Sequence, residues 1–127
     1  MKKLIFLISL LFSLNSCEKE NTKSYSSEVL GEWQWVSTCG GFSGLCNTPE
    51  NSNSSSVIEF NRDSTLYIYQ NNALINSSKY YILQTPSDNS AGRIVLSDSK
   101  IYDYSILHDN LNFTLHGADF VTAYRRK

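Results

Sequence analysis

From Val29 onward the chain is a succession of short apolar or alternating runs cut by turn residues, and nowhere do ten or more residues repeat with the 3.6 period of a helix. Eight runs stand out: "GEWQWVST" from Gly31, "SSVIEFN" from Ser55, "TLYIYQN" from Thr65, "SKYYILQ" from Ser78, "GRIVLS" from Gly92, "KIYDYSIL" from Lys100, "NLNFTLH" from Asn110 and "ADFVTAYRR" from Ala118. Most connections are brief and rich in turn formers, as in "NRDS", "SDSK", "HDN" and "HGAD", so consecutive antiparallel hairpins are expected. Eight strands are about the number that closes into a barrel whose interior side chains nearly fill it. Closure would also remove edges that a sheet rich in Tyr, Ile and Val can hardly leave open. The expected fold is therefore all-β, an eight-stranded antiparallel up-and-down barrel spanning 29–127. Alternation places Leu111, Phe113 and Leu115 on the inner face of "NLNFTLH". In "TLYIYQN" both faces are apolar, and the inward set stays open between Leu66 with Ile68 and Tyr67 with Tyr69.

The first sixteen residues are of another kind. Lys2 and Lys3 precede the uncharged run "LIFLISLLFSL", whose eleven residues are too few for a membrane-spanning helix of roughly 20. A basic start, a short apolar stretch and small residues read as a secretory signal peptide over 1–16. Within it "LNSC", Leu14 to Cys17, resembles the lipobox of bacterial lipoproteins. The resemblance implies cleavage before Cys17 and lipidation of that residue, with two or three acyl chains making membrane attachment effectively permanent. An ordinary signal with an incidental Cys17 is the alternative. Residues 17–28 carry no hydrophobic period and read as a flexible tether. The acids of "EKE" after Cys17 resemble the charged segment that some Bacteroidetes lipoproteins use to reach the outer surface. Placement in the cell envelope, at the outer membrane, is thus expected, with its face left open.

Losing Lys2 and Lys3 leaves nine basic against twelve acidic side chains, a balance of −3. Nucleic-acid binding, which rests on clustered Lys and Arg, is not expected from that balance. If Cys17 is lipidated, Cys39 and Cys46 remain as a pair in a compartment that permits disulfides. Gly40, Gly41 and Gly44 supply the backbone freedom that so short a closed loop needs. A metal site is the alternative, but two cysteines make half a tetrahedral zinc shell and no histidine lies near to complete it.

"GEWQWV" at the first strand, the "GGF.G...TPE" loop from Gly40 to Glu50 and the closing "YRRK" together resemble the lipocalin-like domain family of small bacterial, Bacteroidetes-type lipoproteins, over roughly Leu30 to Lys127. The resemblance implies a barrel floor built from Gly31, where the chain turns tightly, and Trp33, whose ring plugs the closed end. It also implies an arginine from the last strand across that ring, Arg125 or Arg126, and alternation does not decide which. Trp35, two residues on, then faces inward nearer the open end, and the bridged loop covers the mouth as a lid.

The leading functional expectation is a membrane-anchored binding module that takes a small hydrophobic or amphiphilic ligand into the barrel's open end, with contacts from Trp35, Phe42, Leu45 and Tyr67. The second is a protein-interaction module, a protease inhibitor or surface-assembly component, that presents Phe42 and Leu45 on a preorganised loop. Catalysis is not expected. His108 and His116, the only histidines, lie about 20 Å apart along one strand, and no serine has a base placed for it. No cofactor and no metal is implied.

Overall fold

The computed structural model describes residues 28–85 and 88–127, and their side chains outside 84–89. The expected signal peptide, Cys17 and nearly all of the tether lie outside the described residues. In chain order the elements are β1 (Gly31–Gly40), β2 (Cys46–Asn47), α1 (Pro49–Ser52), β3 (Ser56–Phe60), β4 (Thr65–Gln70), β5 (Ala73–Thr85), β6 (Asp88–Leu96), β7 (Ile101–Leu107), β8 (Asn110–Leu115) and β9 (Phe120–Arg126). Each of the eight runs becomes a strand. The additions are β2, a two-residue strand against the second half of β1, and α1, one turn capped by Thr48 with Pro49 at its start.

β1 and β3 to β9 pair antiparallel in sequence order, and β9 returns to pair with β1, which closes an eight-stranded up-and-down barrel. The closing register sets Trp33 opposite Arg126, Trp35 opposite Tyr124 and Thr38 opposite Thr122. It slips by one residue between Trp35 and Ser37. Val36 is the extra residue of that bulge, so the inward phase passes from Trp33 and Trp35 to Thr38. In β4 the open assignment resolves: Leu66 is buried and Ile68 packs on the core, while Tyr67 and Tyr69 take the outer face.

Most of the interior is solid. Trp33, Ile58, Phe60, Leu66, Ile94 and Leu111 are almost wholly buried. Phe60 meets Tyr80 and Phe113 edge-on at 5.2 and 6.0 Å, and Tyr102 stacks on Phe113 at 4.3 Å. Each such pair adds about 0.5–1.5 kcal/mol beyond the area it buries.

The floor is closed at Trp33. Its Nε1 donates to Val29 O at 2.7 Å, and the Arg126 guanidinium lies over the ring, 4.1 Å from its centroid. That guanidinium also donates to Leu30 O at 3.0 Å and Glu28 O at 2.8 Å, which ties the last strand to the chain entering the first. Arg125, one residue earlier, has the opposite phase and is exposed.

Candidate functional site

Trp35 marks the level at which packing gives way to space. Above the floor, at the end carrying the β1–β3, β4–β5 and β8–β9 connections, a concavity of about 390 Å³ opens between Trp35 and Thr38 of β1 and Phe120, Thr122 and Tyr124 of β9. Ser54, Ser56, Gln70 and Ile75 complete the wall. The volume falls near the low end of small-molecule sites, about 300–1,000 Å³. The solid aromatic core beneath makes it a shallow cup rather than a bore through the barrel.

The cup's polar groups form a defined network. Trp35 Nε1 donates to Thr38 Oγ1 at 3.0 Å, and the hydroxyls of Thr38 and Thr122 share a hydrogen bond at 3.1 Å. Three protons serve these two bonds, so one hydroxyl proton remains for a further acceptor. Gln70 Nε2 donates to Ser54 Oγ at 3.3 Å and keeps its carbonyl oxygen as an acceptor. Burial, and next the neighbouring Tyr102, pushes the Tyr124 phenol up to about 12, so it stays neutral over the physiological range.

Charge is confined to other places. Arg126 serves the floor, Arg93 pairs with Asp103, Lys100 with Asp98 and Lys127 with Glu32. Lys79 Nζ donates to Asp63 O and Thr65 Oγ1, and Arg62 and Arg125 are exposed. His116 Nδ1 lies 2.7 Å from Asp103, and exposed His108 occupies the β7–β8 turn. Among the described residues, no carboxylate, ammonium, guanidinium or imidazole lines the cup, and no group of three or more His, Cys, Asp or Glu could hold a metal ion.

Cys39 and Cys46 form a disulfide across the β1–β2 ladder, with Cα atoms 4.1 Å apart. The loop it closes lies beside the mouth and not over it. Gly41 N donates to Asp119 O at 3.1 Å, which seats the loop against the β8–β9 turn. Phe42 at its tip is fully exposed and Leu45 is 73% exposed. The lid expected of this loop is therefore corrected, since neither side chain is among the residues lining the cup. Instead, Ser54 and Ser56, just beyond α1, reach the rim.

Tyr67 also departs from expectation. It faces outward beside Tyr69, with ring centroids 6.4 Å apart, because Leu66 and Ile68 occupy the inward phase of β4. It borders a larger concavity of about 690 Å³ on the outside of the floor end, shared with Leu30, Arg62 and Asp63. That surface is a solvated turn between β3 and β4, whereas the cup gathers inward-facing side chains from both ends of the chain.

Of the four suggested contacts, Trp35 alone lines the cup. Thr122 and Tyr124, which the sequence reading missed, share alternate phase with Arg126. Fixing Arg126 on the floor was the signal that would have found them.

No protein family and no curated protein matches the chain in sequence. In structure it is similar to a Schistosoma mansoni fatty acid binding protein in complex with arachidonic acid, at a TM-score of 0.51 and 11% identity, over 82% of this chain and 99% of that one. At that identity the likeness establishes a shared barrel fold.

Proposed function

We propose that the protein binds a small hydrophobic or amphiphilic molecule in the cup at the mouth of its barrel. The observation that carries this reading is the cup itself, where the exposed part of Trp35 and the rim residues Ile75 and Phe120 face a hydroxyl and amide network above a closed floor. The structurally similar protein was solved with a fatty acid, which supports a binding role for the same architecture. The Gly31, Trp33 and Arg126 floor supports the further reading that the chain is a lipocalin-like lipoprotein of the Bacteroidetes type. In that reading Cys17 carries the acyl anchor, and the domain works at the envelope.

Native mass spectrometry of the gently purified full chain tests the binding role. A retained small mass that disappears with Trp35→Ala is expected, and a chain that is empty and takes up no amphiphile would overturn it. Anchoring is tested separately: the Cys17→Ala chain should leave the membrane fraction, and its retention there would contradict lipidation.

A second reading, an interaction module, is favoured by the fully exposed Phe42 on a bridged loop. A preorganised apolar tip loses little entropy on docking. Loss of a co-purifying protein on Phe42→Ala, with the cup empty, would select this reading over the first.

A further inference from the structure

We propose that the cup selects uncharged ligands, specifically a short apolar group joined to a head of hydroxyl or carbonyl oxygens, and discriminates against carboxylates. This inference rests on the binding role proposed above. Among the described residues no cationic side chain lines the cup, which presents hydroxyl and amide groups instead. An anion placed there would lose part of its hydration and meet no opposite charge, a cost that neutral hydrogen-bond donors only partly recover.

A neutral oxygen-bearing head is matched on both counts. The Trp35–Thr38–Thr122 network has one hydroxyl proton left to donate, and the Gln70 carbonyl oxygen can accept from a ligand hydroxyl. Trp35 spends its N–H within the network, so what it offers a ligand is its ring. Among the described residues the core is packed, with Trp33, Phe60 and Leu111 buried and Tyr102 stacked on Phe113, which favours a short apolar group over a long acyl tail. The fit is thus to a short-chain neutral amphiphile and not to a long fatty acid.

The test compares two probes with the same acyl chain, 1-monooctanoylglycerol and octanoate, titrated into the full chain by calorimetry at pH 8. The glyceride is expected to bind more tightly by at least about tenfold. Repeating the octanoate titration near pH 4, where a free carboxyl of ordinary pKa about 4–5 is largely protonated, should strengthen its binding. Gln70→Leu, which keeps the size and removes the accepting carbonyl, should weaken glyceride binding by about three- to tenfold and leave octanoate, which has no proton to donate at pH 8, nearly unchanged. Octanoate binding as tightly as the glyceride at pH 8, or a Gln70→Leu chain with unaltered preference, would overturn the selectivity while leaving a ligand-binding cup in place. Failure of both probes at both pH values would overturn the cup itself.

Discussion

The Arg126 guanidinium joins three things at the floor: the face of Trp33, the carbonyl of Leu30 and the carbonyl of Glu28. Arg126→Met removes the cation and strands two carbonyls that had charged donors, so urea unfolding should show a loss of about 2–3 kcal/mol. Arg126→Lys should lose less, because an ammonium keeps the charge over the ring but cannot fork to both acceptors. Gly40 is a second sensitive position, for steric reasons. Its φ is +143°, and an added Cβ would fall 2.3 Å from Asp119 O, so Gly40→Ala must part β1 from β9 at the rim. A cost of about 1–3 kcal/mol in the same measurement is expected. The floor pair Gly31 and Trp33 was legible in the sequence. The choice between Arg125 and Arg126 was not, because it depends on the register between two strands some ninety residues apart, which neither run contains.

At the level of elements, the disulfide closes a ladder of only two residue pairs, Thr38 with Asn47 and Cys39 with Cys46. β1 keeps its whole other edge zipped to β9, so Cys39→Ser with Cys46→Ser should spare the barrel and lower stability by about 2–3 kcal/mol, as chain entropy predicts for so short a loop. Denaturant melts of the double variant, with far-UV circular dichroism to confirm the retained sheet, would measure this, and a global loss of strand signal would contradict it. The eight long runs were legible because alternation survives over most of each strand. The start of β5 was not, since a register shift opposite Ile68 and Tyr69 makes Ile75 an extra residue and breaks the period in "ALINS". The turn before it was readable in retrospect: Asn71 and Asn72 both have positive φ, as a two-residue hairpin turn of the primed type requires. β2 and α1 are too short to carry any period, and the sequence signals of α1 are its caps: Thr48 with Asn51, Pro49 and Glu50 in the first turn, and Asn53 in the left-handed conformation at its end.

For the molecule as a whole, closure of the barrel followed from strand count and connection length, but how much of its interior is filled depends on which large side chains share a level, and no single strand reveals that. Among the consequences are buried phenols at different depths, of which Tyr80 near the β3–β4 turn and Tyr124 at the cup weaken the fold at alkaline pH. Burial first, and Asp63 next, pushes Tyr80 up to about 12, while its Oη donates to Asn61 O at 2.9 Å. Tyr124 is pushed up to about 12 as well. A phenol whose folded pKa exceeds its unfolded value stabilises the fold fully below about pH 10 and loses that contribution as pH rises toward 12. On the acid side the sign reverses: the hydrogen bond from His116, then that from Arg93, holds the Asp103 carboxyl below its ordinary value. Its contribution is present above about pH 4 and fades as pH falls through the lowered pKa, weakly because the pair is solvent-exposed. Stability should therefore be level between about pH 5 and 10, with the steeper fall on the alkaline side. Phenolate absorbance followed alongside fluorescence should show tyrosines that ionise only as the chain unfolds, one fewer of them in Tyr80→Phe. Adding 1-monooctanoylglycerol to that variant should raise the pH of unfolding, because the ligand binds only the folded chain, and an unmoved transition would mean that the cup takes up no such ligand.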